Sequence, residues 1–130
     1  MKIVEITTDT QGTIDKVVIE CDRRIRSLTL VLGSGVRKTY SGSDLYVCFG
    51  MLRADYPETK FLCKGAKLNV HPSSMSSQMS AGVVAYELQL GKPAGPDDLV
   101  NIFDYEVADI TNDIEQQRDF YKRWIESFAG

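Results

Sequence analysis

The sequence predicts an α+β fold, mainly antiparallel sheet: a meander, a helix, two further strands and a C-terminal amphipathic helix. Three observations lead there. Residues 13–22 and 27–32 alternate apolar and polar side chains with a period of two. Leu45, Cys48, Phe49 and Leu52 recur at helical spacing, and Ile114, Gln117, Tyr121, Trp124, Ile125 and Phe128 form a second helical stripe near the end. No internal repeat or low-complexity tract interrupts the chain, so its 130 residues are expected to form one domain that needs no disulfide or metal to hold it.

Residues 2–8 place Val4 and Ile6 on one side of a first strand, ended by the turn residues Asp9-Thr10-Gln11-Gly12. A second strand at residues 13–22 puts Val17, Ile19 and Cys21 on its buried face and Lys16, Glu20 and Asp22 in water. Leu28, Leu30 and Leu32 share a face of a third. Gly33-Ser34-Gly35 then reverses the chain into a hairpin partner at 36–40. A one-residue slip would turn the three leucines into solvent, so this register is strongly determined. Ser43 is positioned to cap a helix beginning at Asp44, and Tyr56-Pro57 ends it, because a residue before proline is pushed out of α geometry.

Residues 60–90 hold the only histidine, and they read as two strands flanking a polar loop. Leu62, Ala66, Leu68 and Val70 share parity in the first, Val84, Tyr86, Leu88 and Leu90 in the second. Lys64 intrudes on the apolar face, and Gly65 beside it marks a bulge or a close backbone approach. Between them, residues 71–82 carry serines at 73, 74, 76, 77 and 80 and form an exposed loop or short irregular helix. Pro96 followed by Asp97 and Asp98 opens a short helix with Leu99, Ile102 and Phe103 inward. An acidic connector follows over 104–110, with Tyr105 assigned to the core. Asn112 and Glu115 then make a capping-box-like start for the terminal helix, where Trp124 is a core anchor and Asp119 pairs with Arg123. All helices are expected on one side of the sheet.

Composition excludes more than it assigns. Apolar residues at 43% and charged residues at 25% place the chain among ordinary globular proteins. Residues 1–10 contain no apolar export segment, and no later run is long enough to cross a bilayer, so a cytoplasmic protein with no membrane association is expected. Cys21, Cys48 and Cys63 stand apart, as suits reduced thiols packed in a core. Arg23, Arg24, Arg26, Arg37 and Lys38 form a basic group without interleaved aromatics in a chain of net charge −3, which argues against nucleic-acid binding.

No phosphate-cradling glycine motif, no zinc ligand set and no EF-hand spacing is present, so neither a cofactor nor a metal is expected. Cys63 and His71 share parity, but along an extended strand they would lie about 26 Å apart, too far for a nucleophile and its base. No catalytic residue is therefore assigned. His71 with a loop serine leaves open a small hydrolase or transferase, and a regulatory or adaptor domain is a further alternative.

What stands out is charge asymmetry. Up to Pro96 there are 12 Lys and Arg against 9 Asp and Glu; after it there are 3 against 9. Such a run steers a basic partner or simply solvates a face. The segment FLCKGAKLNVHPSSMSSQMSAGVVAY at 61–86, with GKPAGPDDLVNIFDYE at 91–106, resembles small bacterial immunity proteins of contact-dependent growth inhibition and related polymorphic toxin systems. The resemblance implies a cytoplasmic protein that binds one cognate toxin and blocks its active site or its access to substrate. No family residue role transfers to a position here. The residues themselves offer two candidate contact surfaces: Asp97, Asp98, Asp104, Glu106, Asp109 and Asp113, which could occupy a nuclease cleft in place of phosphate, and the loop with Ser73, Met75 and Gln78. Reversal of Asp104, Glu106 and Asp109 to lysine is expected to leave the fold intact.

Overall fold

The structure, a computed structural model, describes residues 1–128. Its elements in order are β1 (Lys2–Thr10), β2 (Thr13–Asp22), β3 (Ser27–Val31), β4 (Arg37–Ser41), α1 (Leu45–Ala54), β5 (Thr59–Phe61), β6 (Val70–His71), α2 (Ser74–Ser80), β7 (Val84–Glu87), β8 (Leu99–Asn101) and α3 (Ile114–Ser127). The strands form two antiparallel sheets. One is a curled five-stranded sheet ordered β4-β3-β2-β1-β5, the other a three-stranded sheet ordered β6-β7-β8. Among the described residues no helix is long and apolar enough to cross a membrane.

The meander follows the alternation. Ile19, Cys21, Leu28 and Leu30 are buried on one face, in the register Ile19 opposite Leu30 and Cys21 opposite Leu28. Complete burial of each leucine or isoleucine favours folding by about 1.5–3 kcal/mol, which a register slip would forfeit. β1 runs two residues further than its apolar pattern suggested, to a two-residue turn at Gln11 and Gly12 with φ of 52° and 93°. That turn twists with the strands it joins.

α1 lies across β3 and β4, burying Leu45, Cys48, Phe49 and Leu52 against the five-stranded sheet. Asp44, not Ser43, is its N-cap, with the side chain accepting from the Val47 amide at 2.8 Å. The other helices do not share that side: α2 packs on β7 and α3 on β6, so the helices are divided between the two sheets. Gly50 is where α1 and α3 meet. A Cβ there would sit 2.6 Å from Cδ1 of Ile114.

Residues 60–90 depart from the two-strand expectation. Only β7 is a regular strand of the expected kind, and it pairs with β6 and β8 rather than with the meander. The first segment breaks at a 3-10 turn, Lys64–Ala66, because Gly65 comes up against Ile102. The Gly65 amide donates to the Ile102 carbonyl at 2.7 Å, and a Cβ on Gly65 would meet that oxygen at 3.0 Å. Gly65 is thus a close backbone approach. The serine segment folds as a true helix, α2, because Ser73 and Ser76 form a reciprocal capping box, each side-chain oxygen accepting from the other's amide.

The helix expected after Pro96 is also corrected. Pro96–Asp98 makes a single 3-10 turn, and Leu99 then enters β8 opposite Tyr86. Pairing with β7 offers the backbone partners that a two-turn helix could not have kept in water. In α3 the cap is Asp113; Asn112 instead donates to the Tyr56 and Thr59 carbonyls at 2.8 and 2.9 Å. Trp124 is not a core anchor but half-buried at the molecule's edge, stacked on Tyr121 and donating to the Lys92 carbonyl at 2.8 Å. The ion pair on α3 joins Arg118 to Glu115, one turn earlier than the Asp119–Arg123 pair expected.

Candidate functional site

The acidic connector between β8 and α3 is anchored along the segment that precedes β6. The Lys64 amide donates to the Asp104 carbonyl at 2.8 Å, Glu106 to Leu62 at 3.2 Å, Leu68 to Asp109 at 2.9 Å and Thr111 to Ala66 at 2.8 Å. Bridge pairings at Cys63–Tyr105 and Lys67–Ile110 frame the same antiparallel run. The connector is therefore irregular in secondary structure but fixed at both ends, with the short span 106–109 between the anchors. Asp109 ends that span at φ 56°.

Glu106 holds the span from within. Its Oε1 accepts from the ammonium groups of Lys64 at 2.9 Å and Lys67 at 2.8 Å, while Oε2 accepts from the Val107 and Ala108 amides at 2.9 and 3.0 Å. Glu87 on β7 accepts Lys64 from the other side at 2.6 Å. The Lys67 ammonium, the Ala108 amide and Lys64, in that order, hold the Glu106 carboxyl far below the usual carboxylate range. So the lysine that broke the apolar parity of the sequence is a tether, and Glu106, half-buried, is engaged by the chain's own groups. A lysine at 106 would face two others, so reversal at that position is predicted to cost stability, unlike reversal at the exposed Asp104 and Asp109.

The acids around it differ. Asp104, Asp109 and Asp113 are exposed, Asp113 also accepting from the Glu115 amide at 2.9 Å as the cap of α3. Between them Tyr105 is 65% exposed and Val107 59% exposed, so Tyr105 stands in water rather than in the core. Sequence reasoning missed this because flanking acids say nothing about which way a tyrosine points. The connector thus presents an aromatic ring and a valine among carboxylates on a tethered backbone.

Asp97 and Asp98 lie elsewhere in the chain's course, at the turn into β8. Asp97 is exposed; Asp98 is half-buried, its Oδ2 accepting from the Gly95 amide at 2.9 Å. They precede Leu99, whose β7 partner Tyr86 lines a shallow groove of about 250 Å³ with Val84, Ser73, Met75 and Met79. Met75 and Met79 are the exposed members of this groove, and Gln78 is exposed on α2 outside its lining. The nine expected contact residues therefore fall into a connector group and an α2–β8 group, with Glu106 half-buried and already paired to two lysines.

His71 sits in a cleft of about 230 Å³ with Asp44, Ser73, Ser77 and Arg118, but its surroundings are filled by other contacts. Its ring stacks on Tyr121 at 4.1 Å, and Nδ1–H donates to the Pro72 carbonyl at 2.6 Å. Burial lowers its pKa from the ordinary value. The Ser77 hydroxyl donates to Asp44, and Ser73 is engaged with Ser76. The Cys63 thiol is fully buried and pushed up to about 12 by that burial, which suppresses the thiolate. Among the described residues no group of three or more His, Cys, Asp or Glu side chains is placed to hold a metal ion. No family model matches the chain, and no curated protein is detectably similar to it.

Proposed function

We propose that this chain is a cytoplasmic immunity protein that binds one cognate bacterial toxin domain and neutralises it by covering the active or substrate-binding cleft. The observation that carries the reading is Tyr105, exposed with Val107 on an acidic connector whose backbone is fixed by four hydrogen bonds and by Glu106 between two lysines. Exposed aromatics provide the desolvated centre on which tight interfaces depend, and a backbone already held in place loses little freedom on binding. Asp104 and Asp109 beside it supply a field that speeds encounter with a basic surface and disfavours acidic competitors. A nuclease fits that field best, since its cleft is built to attract phosphate. The resemblance of residues 61–86 and 91–106 to immunity proteins of polymorphic toxin systems points the same way.

The test is protection. Where a gene beside this chain's encodes a large secreted protein, the C-terminal domain of that protein is expressed in bacteria with and without the chain. Growth arrest relieved by the chain, and by no unrelated immunity protein, supports the reading; arrest that persists with the chain present refutes it.

A further inference from the structure

The inner face of the five-stranded sheet changes character along its length. At the α1 end it carries Ile6, Ile19, Leu28 and Leu30, all buried. At the hairpin end the inward positions are Thr8 opposite Asp15, Thr10 opposite Thr13, and Thr59 and Phe61 opposite Thr10 and Thr8 on the other side. Thr8 is buried but Thr10, Thr13 and Asp15 are exposed, so this end of the face is not closed core. These residues instead line a cavity of about 470 Å³ that α1 does not fill, floored by Val17, Leu30, Leu32 and Phe61 and bounded by Tyr56.

The size is that of a small-molecule site, and the lining has the composition of one: an apolar floor with a few fixed polar groups. Thr10 and Thr59 are joined hydroxyl to hydroxyl at 2.8 Å across the strand pair, which sets their orientation. Among the described residues Asp15 is the only charged one in the lining; it is exposed at the cavity's edge, and its Oδ1 accepts from the Lys16 amide at 2.8 Å. No base lines the cavity to answer it.

We propose that this cavity binds a small amphipathic cation, with an apolar stem on Val17, Leu30, Leu32 and Phe61 and an ammonium at the Asp15 carboxylate. The site shares no residue with the acidic connector and stands or falls separately from the immunity reading. The Asp15 contact is a charge-assisted hydrogen bond, and the threonine hydroxyls accept from the remaining N–H groups.

The experiment titrates the full ¹⁵N-labelled chain with 2-phenylethylamine and follows amide shifts, with 2-phenylethanol and 3-phenylpropionate as neutral and anionic controls. The amine is expected to give saturating shifts at Thr8, Thr10, Val17 and Leu32 with a low-millimolar dissociation constant, as its size allows. The alcohol on the parent chain, and the amine on Asp15→Asn, are expected to bind about tenfold more weakly. The propionate is expected to give no saturating shift. Amine shifts that do not saturate, equal affinity for amine and alcohol, or an unchanged amine affinity in Asp15→Asn would each overturn the proposal; the alcohol comparison needs no variant to fold.

Discussion

The Arg53 guanidinium donates to the side-chain oxygen of Gln117 at 2.6 Å, joining α1 to α3 with both residues wholly out of water. A second nitrogen of Arg53 reaches the Thr111 carbonyl at 2.9 Å, and the Gln117 amide donates to the Gly65 and Lys67 carbonyls at 2.9 and 2.8 Å. The ring of Phe49 lies 5.0 Å from the guanidinium. Among the described residues no carboxylate forms an ion pair with this buried cation: its hydrogen bonds go to neutral oxygens, an aromatic face lies beside it, and burial lowers its pKa, with Asp113 opposing only at a distance.

Removal of either partner should therefore cost unequal amounts. Gln117→Leu strands a buried charge and two carbonyls, for about 3 kcal/mol or more. Arg53→Met removes the charge and leaves only neutral acceptors, for about 1–3 kcal/mol. The double variant should lose less than the sum of the singles, because the two share one network. Urea unfolding of the four proteins checks this; strictly additive losses would show that the residues act independently.

These two residues also mark where sequence reading stops. The meander and α1 were legible because their apolar positions recur at periods of two or 3.6 and burial follows the period; α3 was legible as a helix, but of its stripe only Gln117 is buried, and Ile125 and Phe128 are exposed. Gln117 was placed on the buried stripe by position alone, but nothing in its spacing named Arg53 as its partner. Residues 62–70 looked like strand because Leu62, Ala66, Leu68 and Val70 share parity; the contact of Gly65 with Ile102, a tertiary event, breaks it. In the candidate site the acids were legible as a run. The sorting of Glu106 inward and Tyr105 outward depends on Lys64 and Lys67, which lie some 40 residues away in the chain.

Glu106 should make stability acid-sensitive. A carboxyl with a lowered folded pKa contributes stability above its ordinary value of 4.5, and this contribution is lost as pH falls below that value toward the folded pKa. Glu106→Gln should lose about 2 kcal/mol at pH 7 relative to the parent, and the gap should narrow as pH drops below 4.5. Amide exchange at Val107 and Ala108 should quicken in the variant. A gap that stays constant down to pH 3 would contradict the tether.

His71 should act with the opposite sign from a paired histidine. Burial lowers its pKa, with Arg118 adding in the same direction and the Pro72 carbonyl and Asp44 opposing. The folded state therefore disfavours the charged ring: stability is full above the ordinary 6.5 and falls as pH drops from there through the folded pKa. His71→Phe keeps an aromatic ring against Tyr121, so its unfolding midpoint should gain on that of the parent as pH goes from 7.5 to 5. Parallel profiles would show that His71 titrates as if exposed.

The tethered connector, through Tyr105 and its exposed acids, is the surface proposed to meet the toxin. Its most direct test is the affinity of the purified chain for that toxin domain, measured by calorimetry for the parent, Tyr105→Ala and the pair Asp104→Lys with Asp109→Lys. Since these side chains are exposed, all variants should unfold within about 0.5 kcal/mol of the parent. Tyr105→Ala should bind at least about tenfold more weakly, and the charge reversal should weaken binding most at low salt. Parent-like affinity in both variants would contradict the claim.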